Sequence, residues 1–320
     1  MQKNDEKKLN IKPLLSICIP TYNRDIYLKK SIESLIVSSD FLNKRIEIVV
    51  SDNLSTDNTQ SICKAFEEKY DNFHYYRNEQ NIYDENFPKV LSYAKGTYRK
   101  LSNDSHIYEK DAVRKICAII EKYEFVKPYI YWAIAKWTTA KKTKMEEKVS
   151  FDDFLLIAGE HITNILSFGL WEDECDEILG DLSCCKLKLW QACATLKLAS
   201  KNSNIIIYNE DLVKEQKVLN KEVSYDVFNI FHDNYLSIVS KYENDGKQID
   251  KIEKRMLFDT FYHWRLKWDD EKTNIKFNKK NENLPLQIKN TYEKKPYYWL
   301  YVLKLNLAKT CRKIKRSFVK

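Results

Sequence analysis

The chain has 320 residues, 43% hydrophobic and 31% charged, which is enough to bury a sizeable core and excludes a disordered chain. Five glycines and six prolines exclude low-complexity and collagen-like architectures. The formal net charge is +8, yet after Glu293 no acid follows, only Lys294, Lys295, Lys304, Lys309, Arg312, Lys313, Lys315, Arg316 and Lys320. The excess is therefore a C-terminal feature, and with no nucleic-acid-binding motif present it argues against nucleic acid as a partner.

Residues 1–12 are polar and read as a frayed start. An apolar run at 14–19 predicts the first strand, and Ile26, Leu28, Ile32, Leu35 and Ile36 predict an amphipathic helix over 25–37. Residues 46–50 are apolar throughout, as in a parallel strand covered on both faces. Thr56 or Asp57 caps the next helix, Phe73–Arg77 is a third strand, and Asn86–Tyr93 is a helix stopped by Gly96. Tyr98–Leu101 is a fourth strand, delivering Asn103 and Asp104 to the same sheet edge. Strands alternating with helices at this spacing predict right-handed βαβ crossovers. In such sheets ligands bind outside the carboxyl ends of the strands, which marks the loops 20–24 and 51–55.

Further along, a helix over 111–123 precedes an aromatic, β-branched strand over 129–137 and a charged loop over 139–148. The pattern then predicts a helix over 182–198, a strand over 204–208, helices over 225–242 and 252–268, and a polar linker. In the tail, Leu300, Leu303, Leu307, Cys311, Ile314 and Phe318 recur at steps of three and four behind a Tyr-Tyr-Trp cluster. A basic amphipathic helix of this kind suits an anionic membrane surface, or docks on the body of the protein with a solvated basic side. The eight cysteines form no Cys-x-x-Cys pair and sit in apolar patterns, so reduced buried thiols and a cytoplasmic chain are expected. The charged N-terminus does not read as a signal peptide, and no apolar run approaches the ~18 residues of a membrane span.

Ile19-Pro20-Thr21-Tyr22-Asn23-Arg24, followed by Val50-Ser51-Asp52-Asn53-Leu54-Ser55-Thr56-Asp57, resembles the donor-binding start of the family 2 glycosyltransferases. The likeness continues through Asn81, Asn86-Phe87, Ala94-Lys95-Gly96 and Tyr98 to Leu101-Ser102-Asn103-Asp104-Ser105. The abequosyltransferase-like branch, which decorates bacterial surface polysaccharides, is the most similar in flavour. The likeness covers roughly the first 125 residues. It implies an α/β, Rossmann-like GT-A fold with a mostly parallel central sheet and a helical C-terminal region. On this reading 1–215 form the transferase domain, with a donor half at 14–125 and an acceptor half at 126–215. A helical extension at 216–270, a linker at 271–295 and the basic tail at 296–320 follow.

A sugar transferase must hold a nucleoside, neutralise a diphosphate and deprotonate an acceptor hydroxyl. The resemblance places Pro20, Thr21, Tyr22, Asn23, Arg24, Asp52, Asn53 and Asn103 around the donor, with Asp52 on a uracil-type imide and Arg24 toward a phosphate. Asp104 is the candidate ligand for Mn2+ or Mg2+, since hard cations prefer oxygen donors. The family usually carries two or three acids there, and this chain has one, between Asn103 and Ser105. Asp181, ahead of the predicted helix, is the candidate general base, with Asp173 the alternative; Asp181 also reads as a simple N-cap. Trp171 and His161 are candidates for the acceptor pocket, although a core tryptophan reads equally well. The implied activity is inverting, metal-assisted transfer from a nucleotide-diphosphate sugar, UDP by default, to a glycan or polyprenyl-linked precursor of a cell-surface or capsular polysaccharide. Such a protein sits at the inner face of the plasma membrane. The alternative is a non-catalytic relative that binds donor at a degenerate metal site.

Overall fold

The computed structural model describes residues 12–133, 145–217, 221–223, 225–270, 273 and 275–317. Its central sheet is built from β1 (Leu15–Thr21), β2 (Ile46–Asp52), β3 (Phe73–Arg77) and β4 (Tyr98–Leu101). These run parallel in the order β3-β2-β1-β4. The crossovers carry α1 (Asp25–Ile36), α2 (Thr59–Lys69) and α3 (Asn86–Tyr93). All seven residues of β1 and of β2 are buried, because helices cover both faces of the sheet. Ile17, Ile19, Ile48 and Val50 join a core with Leu28 and Ile32 of α1, while Cys18 and Val49 join a second core with Val90 and Leu91 of α3. That is the period-two alternation of a strand between two layers. Gly96 is required where the chain enters β4: a Cβ there would lie 2.7 Å from the Ser16 nitrogen.

Next come β5 (His106–Tyr108), α4 (Ala112–Tyr123), β6 (Tyr129–Ala133), β7 (Glu146–Val149) and α5 (Phe151–Ala158). β8 (Gly169–Trp171) adds antiparallel to the free edge of β4. Then α6 (Trp190–Lys201), β9 (Ile205–Asn209) and β10 (Val213–Glu215) follow. β6, β9 and β7 form a separate three-stranded sheet, and β10 pairs with β5. Of the strand expected over 129–137, residues 134–137 lie outside the described residues, as do residues 1–11, most of the loop at 139–148, and Phe318 and Lys320. The rest of that loop is partly strand, since β7 begins at Glu146 and pairs with β9.

Several expectations are corrected. The helix expected over 182–198 begins at Trp190; residues 182–189 form turns and a short 3-10 segment, Cys185–Leu187. Cys184 and Cys193 are joined by a disulfide, so not all eight thiols are free, whereas Cys18, Cys63, Cys117 and Cys175 are buried thiols as expected. The stretch expected as a polar linker is structured. β12 (Ile275–Phe277) pairs in parallel with β11 (Lys221–Val223). Between these two strands come α7 (Gly246–Met256) and α8 (Tyr262–Trp268), and after β12 come α9 (Leu284–Tyr292) and α10 (Tyr298–Ser317). In α9 the buried residues Leu284, Ile288 and Tyr292 recur every four positions and join the core of the C-terminal helices. No described helix is long and apolar enough to cross a membrane.

Candidate active site

Two loops leave the carboxyl ends of β1 and β2 and interlock. The strands run in register, so Thr21 lies beside Asp52. Asn23 turns the chain with a left-handed backbone, φ 52°. Its N–H donates to Ser55 Oγ at 2.8 Å, and its Oδ1 accepts the Thr56 N–H at 2.7 Å. One residue on, the Asp25 N–H donates to Asp57 Oδ2 at 3.0 Å, and Asp25 Oδ2 accepts the Asn58 side-chain amide at 3.0 Å. Burial works against the Asp57 charge, but hydrogen bonds from Thr59 and the Asp25 N–H hold its carboxyl below the ordinary range. Pro20 is buried in β1, while Tyr22 stands exposed at the tip of the first loop.

Asp52 is wholly buried, and both of its oxygens are engaged. Oδ1 accepts the Ser55 N–H at 2.8 Å, and Oδ2 accepts the Tyr75 hydroxyl at 2.7 Å and the Arg77 guanidinium at 3.2 Å. Arg77 also donates to the Ser55 carbonyl at 2.9 Å. Asp52 thus organises the second loop and holds Arg77, which is partly exposed, at its rim. Asn53 ties this loop to the next crossover: its Oδ1 accepts from Asn78 at 2.9 Å and its amide donates to the Tyr83 carbonyl at 3.2 Å.

The turn after β4 brings Asp104 to the first loop. Thr21 Oγ1 donates to Asp104 Oδ2 at 3.0 Å, and the Arg24 guanidinium lies 3.7 Å from Oδ1. Burial pushes the Asp104 carboxyl up to about 6, with Arg24 and Thr21 pulling the other way. The side-chain oxygen of Asn103 is taken up by the turn, accepting the Ser105 N–H at 2.9 Å and its hydroxyl at 2.6 Å. For a divalent cation this turn therefore offers one carboxylate. That donor fits a hard ion in type, and its charge is only partly offset by Arg24.

The expected acceptor-side residues divide. Asp181 is exposed in the turn before Cys185–Leu187, where its carboxylate accepts the Ser183 hydroxyl at 2.6 Å and N–H at 3.1 Å. It caps a turn, not a helix. Those hydrogen bonds hold its carboxyl below the ordinary range, and it is charged at neutral pH. Asp173 is also exposed and ion-paired with Lys127 at 2.9 Å. Trp171 is not an acceptor contact: it is buried in β8, donates Nε1–H to the Pro128 carbonyl at 2.8 Å, and packs edge-on against Tyr98. His161 turns toward the C-terminal helices, its Nε2 3.3 Å from Asp259 Oδ2. Glu160, His161 and Asp259 bring ligand-type atoms within 4.8 Å of one another, but Arg255 Nε lies 3.7 Å from Glu160 Oε2, so the cluster already holds a cation of its own.

A cleft of about 830 Å3 opens between the segment after β3 and the turn that carries Asp181. Arg77, Asn78, Lys89 and Tyr93 line one side, and Leu179 and Leu182, which flank Asp181, line the other. Arg77 and Asn78 also bond to Asp52, through its carboxylate and its carbonyl. The cleft thus runs from the supports of the second loop to Leu179 and Leu182, on either side of Asp181, which is not itself in the lining. Sequence reasoning missed Arg77 and Tyr75. Arg77 ends β3 directly beside Asp52, and a charged residue at the carboxyl end of a strand was the available signal.

Residues 16–172 match the model of glycosyl transferase family 2. Abequosyltransferase RfbV of Salmonella typhimurium is 38% identical over 113 residues, 34% of this chain and 32% of that protein. The GalNAc(5)-diNAcBac-PP-undecaprenol beta-1,3-glucosyltransferase of Campylobacter jejuni is 40% identical over 67 residues, 21% of each chain. The matches thus span about a third or less of these relatives. Among solved structures, S. aureus TarS 1-349 in complex with UDP superposes with a TM-score of 0.55 at 17% identity, covering 77% of this chain and 71% of that one. Mannosyltransferase PcManGT from Pyrobaculum calidifontis, in complex with GDP-Man and Mn2+, gives 0.51 at 12% identity, covering 93% and 87%. The fold is therefore GT-A-like, and residues 16–172, just under half of the chain, are similar to glycosyl transferase family 2.

Proposed function

We propose that the chain is an active, inverting glycosyltransferase that moves a sugar from a nucleoside-diphosphate donor, UDP by default, to a precursor of a bacterial cell-surface or capsular polysaccharide. The observation that carries this reading is the convergence of three strand ends: loops from β1 and β2 interlocked through Asn23, and Asp104 hydrogen-bonded to Thr21 beside Arg24. In this reading Pro20, Thr21, Tyr22 and Asn23 line the nucleoside pocket. Because the Asp52 carboxylate is fully engaged, Asp52 acts on the base through the loop it shapes and through Arg77. Arg24 faces the diphosphate, where its charge opposes that of the leaving group.

Asp104 would hold Mn2+ or Mg2+, and such an ion would supply Lewis-acid neutralisation of the leaving diphosphate. The acceptor enters the cleft flanked by Leu179 and Leu182. Asp181, already ionised, takes the proton of the acceptor hydroxyl as that oxygen bonds to the anomeric carbon and the carbon–oxygen bond to the diphosphate breaks. One carboxylate base without a covalent nucleophile implies inversion. Relatives include a protein named for an undecaprenol-linked substrate, which supports a polyprenyl-linked acceptor here. A second reading, a donor-binding module without turnover, is favoured by the single carboxylate and by Arg24, whose guanidinium stands where a cation would help.

Calorimetric titration with UDP and UDP-sugars, with and without Mn2+, separates the readings. The expected result is metal-dependent binding that Asp104→Ala abolishes, with Asp181→Ala retaining binding and losing turnover by about 100-fold or more. Binding indifferent to metal favours the module, and no nucleotide binding at all would sink the transferase reading. Wild-type turnover in Asp181→Ala would leave Asp173 as the base.

A further inference from the structure

The C-terminal helix α10 has two faces of different fate. Its inner face is fixed to the body: Tyr301 and Leu305 are buried, Lys309 pairs with Asp269 at 2.6 Å, and Arg312 donates to the Leu266 carbonyl at 2.8 Å. Lys304 reaches the Phe258 carbonyl at 3.2 Å and lies over the Tyr262 ring. The basic residues whose side chains are described therefore serve partly to dock the helix, and they offset the acids beneath it, Asp269 and Asp270. The outer face carries Trp299, Leu300, Leu303 and Leu307, each between 41% and 62% exposed. Their spacing of three and four places the three leucines in one stripe, ~10 Å long at the helical rise.

We propose that this outer stripe is a membrane-docking face that lays α10 on an anionic lipid surface. An apolar stripe left uncovered on a helix already anchored by its opposite face needs a partner that is flat and apolar beneath a polar surface. Charge selects which partner. Beyond Glu293 the chain has nine basic residues and no acid; Lys295, Lys309 and Arg312 are paired with Asp250, Glu253, Asp269 and Asp270, and the excess that remains is still positive, which an anionic leaflet complements and a second copy of the same helix does not. Trp299 at the start of the stripe suits the headgroup level. The proposal deepens the transferase reading by bringing the cleft to the surface where a lipid-linked acceptor lies, but its test needs no turnover, so the two fail separately.

The test is co-sedimentation of the full chain with phosphatidylglycerol or phosphatidylcholine vesicles. Expected is pelleting with phosphatidylglycerol, weakened by salt and weak with phosphatidylcholine. The double variant Leu303→Glu/Leu307→Glu should lower the bound fraction about tenfold or more. Leu286→Glu, an exposed leucine on α9, should leave it unchanged. All three positions are exposed, and unchanged melting temperatures verify that the variants fold. Wild-type protein that stays in the supernatant overturns the proposal, as does equal pelleting of the double variant. Sedimentation equilibrium provides the other arm: a dimer dissolved by the same double variant would assign the stripe to a second copy and overturn the lipid assignment.

Discussion

Lys100 sits in β4, close in sequence to Asp104, and it is buried with no ion-paired carboxylate among the described residues. Its ammonium donates to the Leu166 carbonyl, lies 5.5 Å from the Trp132 ring, and borders a cavity of about 20 Å3, room for one water. Burial lowers it from 10.5 to about 7. Because the folded value is the lower one, the unfolded chain holds more protons between these values, and stability rises with pH across that window. Below about 7 the penalty of the buried charge is fully present. Lys100→Met should therefore stabilise the fold near neutral pH by about 1–3 kcal/mol and flatten the alkaline rise, read by denaturant unfolding at several pH values. A destabilised variant would mean that the carbonyl contact outweighs the burial cost. At this scale the sequence was legible where residues sit in ordered motifs. Asp104 lies with the first loop as expected, but Asp52 is sealed by Tyr75 and Arg77, partners brought together by strand pairing, which no local pattern records.

Among the elements, those of residues 14–125 were readable because each strand there is a short apolar run closed by turn residues, and each helix has one apolar stripe. The acceptor half was less so. β8 has only three residues and owes its place to antiparallel pairing with β4, so it gives almost no period to detect, and of the two readings left open for Trp171, pocket or core, it takes the core. The segment before Trp190 holds two cysteines and apolar residues at helical spacing, yet its tertiary links break it into turns. α9 shows the opposite error. Its apolar residues are few among polar ones, but Leu284, Ile288 and Tyr292 are buried. Ile288→Ala should cost about 2–4 kcal/mol in chemical unfolding, as a core truncation does, where a true linker would show none.

The whole molecule joins an N-terminal parallel sheet to helices in the C-terminal region, with one apolar core continuous from Val49 and Val90 to Tyr292 and Leu305. Ligand binding at the strand ends should therefore be felt as global stability. At a hundredfold excess over its dissociation constant, UDP with Mn2+ should add about 2.7 kcal/mol and raise the melting temperature of the wild type, but not that of Asp104→Ala, in a thermal-shift assay. The interlocked loops carry a consequence for engineering donor preference. Asn23 bonds to both Ser55 and Thr56, and Asp25 to both Asp57 and Asn58, so neither loop keeps its shape without the other. A chimera that imports one loop from a relative with a different sugar would lose this stitching, whereas grafting 20–25 and 53–58 as a matched pair would carry the shape of the pocket with them.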